Sequence, residues 1–299
     1  MPKVKLPSFL NLKAALKEFA TITNTQSQEH IKPIHRHLAM RLVLEGGFNP
    51  DEIMPHPPLA VERAGKRNIL HFDPKCEAGG EQTVLGGLKS KAVDVVVTKP
   101  GVGPVMAISV KGTIGAFRNL TNRMEEAIGD SANIHIMYPG LVYGFLHLLN
   151  GNDARKAMLK PNDIAINHKG AVVPSILRYH DVLLGLTGRR FVRNDVSRYE
   201  AVGLGLVNPH DDVGALNESF PVNDSPLHIS RFIAGVLATY DLRFPYVAST
   251  VTILKRYVWE TDSPALVALR SHGACQRLLG YEPREGVAEA EDKDAEDSE

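Results

Sequence analysis

Residues 93–130 read VDVVVTKPGVGPVMAISVKGTIGAFRNLTNRMEEAIGD. The run 93–98 is β-branched except at Asp94, Pro100-Gly101 and Gly103-Pro104 are turn chemistry, and 105–110 is a second apolar run. Two strands joined by a turn are therefore expected. A helix follows, opening near residues 113–115, because Phe117, Leu120, Met124, Ala127 and Ile128 recur at helical spacing. Asp94 inside one strand and Lys111 at the end of the next need a reason, since a polar group is costly to bury unless it is paired or coordinates something.

With Phe117 at zero and about 100° per residue, the apolar side chains centre near roughly 340° and Glu125 falls near about 80°. Glu126 falls near about 180°, away from the strands. Asp94, Ser109, Lys111 and Glu125 are then expected to converge at one end of a hairpin covered by a helix, with Arg118 on the stripe of Glu125. Two carboxylates and a lysine suit phosphodiester hydrolysis. Carboxylates hold Mg²⁺ through oxygen ligands and water, the metal activates water and offsets phosphate charge, and a lysine positions that water. The plainer reading of the same residues is a strand-end Asp and Lys leaving the core, with a surface Glu pairing of small energetic value.

This arrangement resembles the PD-(D/E)xK superfamily, the restriction-endonuclease-like nucleases, over residues 30–150. Val93 stands where proline usually precedes the Asp, and Ser109-Val110-Lys111 replaces (Asp/Glu)-x-Lys. One branch of restriction enzymes reads Ser-x-Lys and takes the missing carboxylate from the following helix, a spacing that Glu125 fits. The resemblance implies an α/β fold with a restriction-endonuclease-like core, a mixed central sheet flanked by helices, and C-terminal elaborations. It implies Mg²⁺-dependent (or Mn²⁺-dependent) hydrolysis of double-stranded DNA, most simply by a type II restriction endonuclease acting as a homodimer or homotetramer. Asp94 and Glu125 would hold the metal, Lys111 would position the water, and Ser109 would occupy the vacated acid position. Arg118 would orient Glu125 or touch a phosphate. The helix before the strands often contributes an auxiliary acid in that family; Glu45 is one candidate and Glu81 another. A non-specific or structure-selective defence or repair nuclease, and a DNA-binding module with a dead site, are the alternatives.

The 299 residues carry 34 bases and 34 acids. Removing the nine acids and two bases of residues 282–299 leaves 32 bases and 25 acids, a net of +7, which suits a DNA-binding body with a detached, disordered acidic tail. No apolar run reaches the roughly 18 residues a membrane span needs. Two cysteines, Cys76 and Cys275, are too few for a disulfide framework or a zinc site, and a cytoplasmic location is the default expectation.

Outward from the motif, residues 1–28 are expected to be a short helix and a linker, and 29–281 the nuclease domain, with its elaboration from 151. A helix is expected near 31–45, ended by Gly46-Gly47, with His30, His35 and His37 on the surface. Residues 49–67 should be irregular, 68–72 a strand and 73–87 a loop. Beyond the motif the expectations are a strand at 133–138, a helix at 142–150, a strand at 163–167, a helix at 173–186 and a strand at 199–207. A loop at 208–225, a helix at 227–240, a strand or buried helix at 246–254 and a helix at 264–279 complete the chain. Lys89 and Lys91 lead into the Asp94 strand and, with Arg190 and Arg193 of the basic stretch RRFVRNDVSR, are candidate DNA contacts.

Overall fold

In the computed structural model, which describes residues 6–22, 29–192, 195–244, 252–273 and 278–286, the two valine-rich runs pair as expected. In chain order the elements are α1 (Leu12–Thr21), α2 (Lys32–Leu44), β1 (Ile53–Met54), β2 (Leu59–Ala64), β3 (Arg67–Phe72), β4 (Gln82–Val84), β5 (Lys91–Val93), β6 (Val95–Lys99) and β7 (Gly103–Thr113). Then come α3 (Leu120–Met137), β8 (Val142–Asn150), α4 (Pro174–Leu186), β9 (Ala201–Val207), α5 (Phe232–Arg243), β10 (Trp259–Glu260), α6 (Pro264–Ser271) and β11 (Glu285–Gly286). A mixed five-stranded sheet runs β1-β6-β7-β8-β9. The first two pairings are antiparallel and the last two parallel. The protein is thus α/β, with helices on both faces of the sheet.

Alternation along the strands divides the core. Val95, Val97, Ile108, Val110, Leu146 and Leu148 pack with α1, α2 and α5. Val96, Ala107, Tyr143, Phe145 and Leu149 pack with α3 and α4. The period-2 geometry of a pleated strand sends successive side chains to these two layers.

Several expectations are corrected. Residues 142–150 form the central strand β8, not a helix. Every one of its residues is buried, because it lies between two parallel neighbours and under helices on both faces, where a strand reads as a continuous apolar run. Residues 133–138 are not a strand but the end of α3. Ser131, Ile134 and His135 are buried at helical spacing from Ala127 and Met124, so packing overrides the strand preference of Ile134 and Ile136. The segment 49–67 contains β2, which forms a hairpin with β3 around Gly65 at φ 61°, and the 73–87 loop contains β4. Residues 163–167 hold a 3-10 turn and isolated bridges in place of a strand. Helix α6 ends at Ser271; the rest of the expected 264–279 helix includes 274–277, and the expected element at 246–254 includes 245–251, which lie outside the described residues.

Helix α1 is no detached appendage, since Leu16 and Phe19 are fully buried against α2 and the sheet. His35 and His37 are likewise interior, 4% and 1% exposed, with His30 buried too. His37 Nδ1 meets Phe9 O at 2.9 Å, and burial lowers its pKa to about 4. The start of the acidic segment is also built in. Arg284 N–H donates to Leu44 O at 2.7 Å and β11 pairs with β10; residues 287–299 lie outside the described residues. Among the described residues no helix is long and apolar enough to cross a membrane.

Candidate active site

The valine run is interrupted at Asp94, and the interruption makes the site. β5 turns away to pair with β4, whereas β6 pairs with β7 only as far as Val95 opposite Ile108. Past that point β7 is hydrogen-bonded to β8 alone, through Lys111 opposite His147 and Thr113 opposite Leu149. A notch opens on its free side. The 7% exposed Asp94 sits at the fork, and its Oδ2 accepts the Val110 N–H at 2.6 Å, replacing a ladder acceptor that β6 no longer supplies.

The notch widens into a cavity of about 920 Å³ bordered by Asp94, Glu81, Lys111 and Glu126, with Lys89, Lys91 and Arg123 around them. Burial holds the Asp94 pKa above the ordinary carboxylate value, against the lowering influence of the Val110 N–H, the Lys111 charge and the Glu81 side chain. On the α2 side, His35 Nε2 lies 3.5 Å from Asp94 Oδ1, and burial lowers the His35 pKa to about 4, against the raising influence of Glu81. The cavity wall at residues 114–116 is fixed from below. Asp163 Oδ1 accepts the Ala116 N–H at 2.7 Å, and Asn152 Nδ2 donates to Ile114 O at 2.7 Å. A Cβ on Gly115 would fall 2.8 Å from Asp163 Oδ1, so glycine lets the two loops touch.

The expected residues do not all arrive. Asp94, Lys111 and Glu81 do. Lys89 and Lys91 also line the cavity, although Lys91 Nζ is tied to the buried Asp130 at 2.6 Å. Ser109 turns away from the cavity into the α3 layer, where its Oγ and Tyr143 Oη are 2.8 Å apart in the buried core. It therefore does not stand in for an acid. Glu125 is exposed and borders no part of the cavity; its neighbour Glu126 reaches Lys111 Nζ at 3.6 Å. Glu45 closes the far end of α2, about 15 Å along the helix from His35, and its Oε2 accepts from Arg41 Nε at 2.8 Å. Arg118 is exposed on the 3-10 turn Phe117–Asn119 beside the cavity wall. Arg190 is exposed at the opposite end of the sheet, and Arg193 lies outside the described residues. The adjacent Arg189 is fully buried against Glu200 at 2.6 Å, with Arg243 on the same carboxylate at 2.7 Å, so part of that basic stretch serves the core.

The error over Glu125 has a local cause. Ala116 adopts a left-handed conformation at φ 51° and Phe117–Asn119 form a 3-10 turn, so the α-helical phase begins at Leu120. Ile128, counted above in the apolar face, is 38% exposed. The polar stripe that faces the notch is Asn119, Arg123, Glu126, Asp130 and Asn133, spaced four, three, four and three. The first three border the cavity, Asp130 holds Lys91, and Asn133 holds the loop before β5. That spacing was the available signal. The chain matches no protein-family model, and no curated protein or solved structure is similar to it, so the chemistry of the cavity rests on its own geometry.

Proposed function

We propose that the protein is a metal-dependent endonuclease of duplex DNA with a restriction-endonuclease-like core. One observation carries this reading: a buried Asp94 that shares an open cavity with Glu81 and Lys111, rimmed by further bases. Among the described residues no three His, Cys, Asp or Glu side chains form a closed metal cage. Mg²⁺ needs none, since it keeps several waters and is held by one or two carboxylates plus substrate phosphate oxygens. The all-oxygen pair Asp94–Glu81 fits Mg²⁺ or Mn²⁺. When bound, the cation would supply Lewis-acid activation of water and offset charge on phosphate.

The chain's own residues supply the rest. Lys111 Nζ positions the attacking water and offsets charge on the phosphorus-centred transition state. The water oxygen bonds to phosphorus and gives up one proton to solvent as one P–O ester bond breaks, and the departing alkoxide takes a proton from solvent. Glu126 holds the Lys111 ammonium from the helix side, a different role from the metal ligand expected of Glu125. Lys89 and Arg123 meet flanking phosphates. A type II restriction enzyme, which cuts both strands with two copies of the site, is the form we favour.

The test is incubation of the full chain with several unmodified duplex DNAs, with Mg²⁺ or EDTA, beside Lys111→Ala. Discrete fragments that vanish in EDTA and in the variant support a restriction enzyme, and a smear lost in the same controls a non-specific nuclease. Salt-dependent DNA binding with no cleavage of any duplex refutes the enzymatic reading and leaves a binding module.

A further inference from the structure

Two apolar side chains stand at the cavity mouth with almost no protein around them. Leu88 is 83% exposed and Met158 fully exposed. They belong to the two loops that border the cavity, for Lys89 follows Leu88 and Leu159 follows Met158 in its lining. Each is flanked by lysines, Leu88 by Lys89 and Lys91, Met158 by Lys156 and Lys160.

The Leu88 loop is held rigidly. Asn133 Oδ1 accepts both the Leu88 and Lys89 N–H groups, at 2.8 and 3.1 Å, and its Nδ2 donates to Lys89 O at 2.8 Å. Gly87 N–H donates to Asn133 O at 2.8 Å, and a Cβ on Gly87 would lie 2.3 Å from Ile136 Cγ2. So much fixing of a loop whose tip is an exposed leucine is spent on presenting that leucine. The Met158 loop is braced in the same manner. Asp153 accepts the Arg155 backbone N–H at 2.9 Å and pairs with its guanidinium at 2.6 Å, while Lys156 and Ala157 N–H groups donate to Asp153 O.

Resting on the nuclease reading above, we infer that Leu88 and Met158 are apolar wedges that enter base steps of duplex DNA laid across the cavity, while Lys89 and Lys160 take its phosphates. Proteins that kink duplexes insert Leu or Met in this way and partly unstack the bases. The wedges would present a bent, opened backbone to Asp94, Glu81 and Lys111, and would favour easily unstacked pyrimidine–purine steps.

The experiment uses the full chain carrying Lys111→Ala, so that the duplex stays intact, with Mg²⁺ and a long mixed-sequence duplex. Permanganate oxidation reports unstacked thymines, and fluorescence anisotropy across a salt series reports binding. The expected result is reactive thymines under the bound protein. These are lost on adding Leu88→Ala and Met158→Ala together, with binding weakened about tenfold at an unchanged salt slope, because the lysines remain. Both side chains are exposed, so thermal unfolding should not move. Unstacking that persists in the double substitution, or binding without any reactive thymine, overturns the wedges. So does binding to anionic-lipid vesicles that the double substitution abolishes. If the wild-type chain still cleaves with Mg²⁺ in those cases, the nuclease reading survives; if no duplex is bound in any arm, both fall.

Discussion

Asp94→Asn should stabilise the protein while removing its activity. The amide oxygen of asparagine keeps the 2.6 Å acceptor position for the Val110 N–H, so the backbone fork is retained. What disappears is a negative charge that burial disfavours. Because the folded-state pKa of Asp94 lies above its unfolded value, the native state binds the proton more tightly. Ionisation therefore costs stability as pH rises from the ordinary carboxylate value through the raised folded-state value. An uncompensated buried polar group costs about 1–3 kcal/mol, and Lys111 and the Val110 N–H offset part of it. A net gain of about 1 kcal/mol would raise Tm by about 2–4 °C. Mg²⁺ should reverse the order. At ten times its Kd it adds about 1.4 kcal/mol to the wild type and little to the variant, which has lost one of two anionic ligands. The assay is differential scanning fluorimetry of both proteins at pH 7.5, in EDTA and across a Mg²⁺ and Mn²⁺ titration. A variant that melts below the wild type in EDTA, or metal that raises both melting points equally, would refute the view of Asp94 as a buried charge that a cation held with Glu81 would offset.

Two further outcomes follow from contacts already described. Glu126→Gln removes the carboxylate 3.6 Å from Lys111 Nζ and should lower kcat about 10–100-fold with little change in KM, as loss of a supporting partner commonly does. Glu125→Gln should stay within about twofold of wild type, and steady-state cleavage kinetics of the pair check the assignment. Burial lowers the pKa of His35 and His37 to about 4 and that of His147 to about 3. The unfolded chain therefore takes up protons first, and stability falls as pH drops from about 6.5 towards 4, by about 1.4 kcal/mol for each unit of difference. Urea midpoints between pH 7.5 and 5 should decline steadily; a flat profile over that range would contradict the neutral, interior placement of these histidines.

Much of this was legible in the chain. The hairpin could be read because Pro100-Gly101 and Gly103-Pro104 separate two runs that only strands accommodate. Helix α2 could be read because Pro33 and Gly46-Gly47 bracket it, Gly47 at φ 70°. β8 could not. A nine-residue apolar run fits a buried strand or a buried helix equally until its neighbours are known, and those neighbours are β7 and β9, the second arriving some fifty residues later. The interior histidines were illegible for a related reason. Nothing in the spacing of His30, His35 and His37 says that α2 is covered by α1, the C-terminal segment and the sheet together.

The site shows the same division between local and long-range information, more sharply. Asp94 and Lys111 were found because both break an apolar strand, and a break of that kind is visible in one dimension. The acid on α3 was misplaced by one residue because a helical wheel multiplies any error in where the helix begins. A 3-10 turn advances by about 120° per residue against about 100° in an α-helix, so carrying the wheel from Phe117 through three such residues misplaces everything beyond by about 60°. Counted from Leu120, Glu126 joins Arg123 and Asp130 on the flank towards β7, and Glu125 moves to the flank towards solvent. The left-handed Ala116 that sets this phase is itself held by Asp163, forty-seven residues further along the chain. The identity of the helix acid is therefore a tertiary property: a loop after β8 fixes the start of α3, and the start of α3 decides which glutamate faces Lys111.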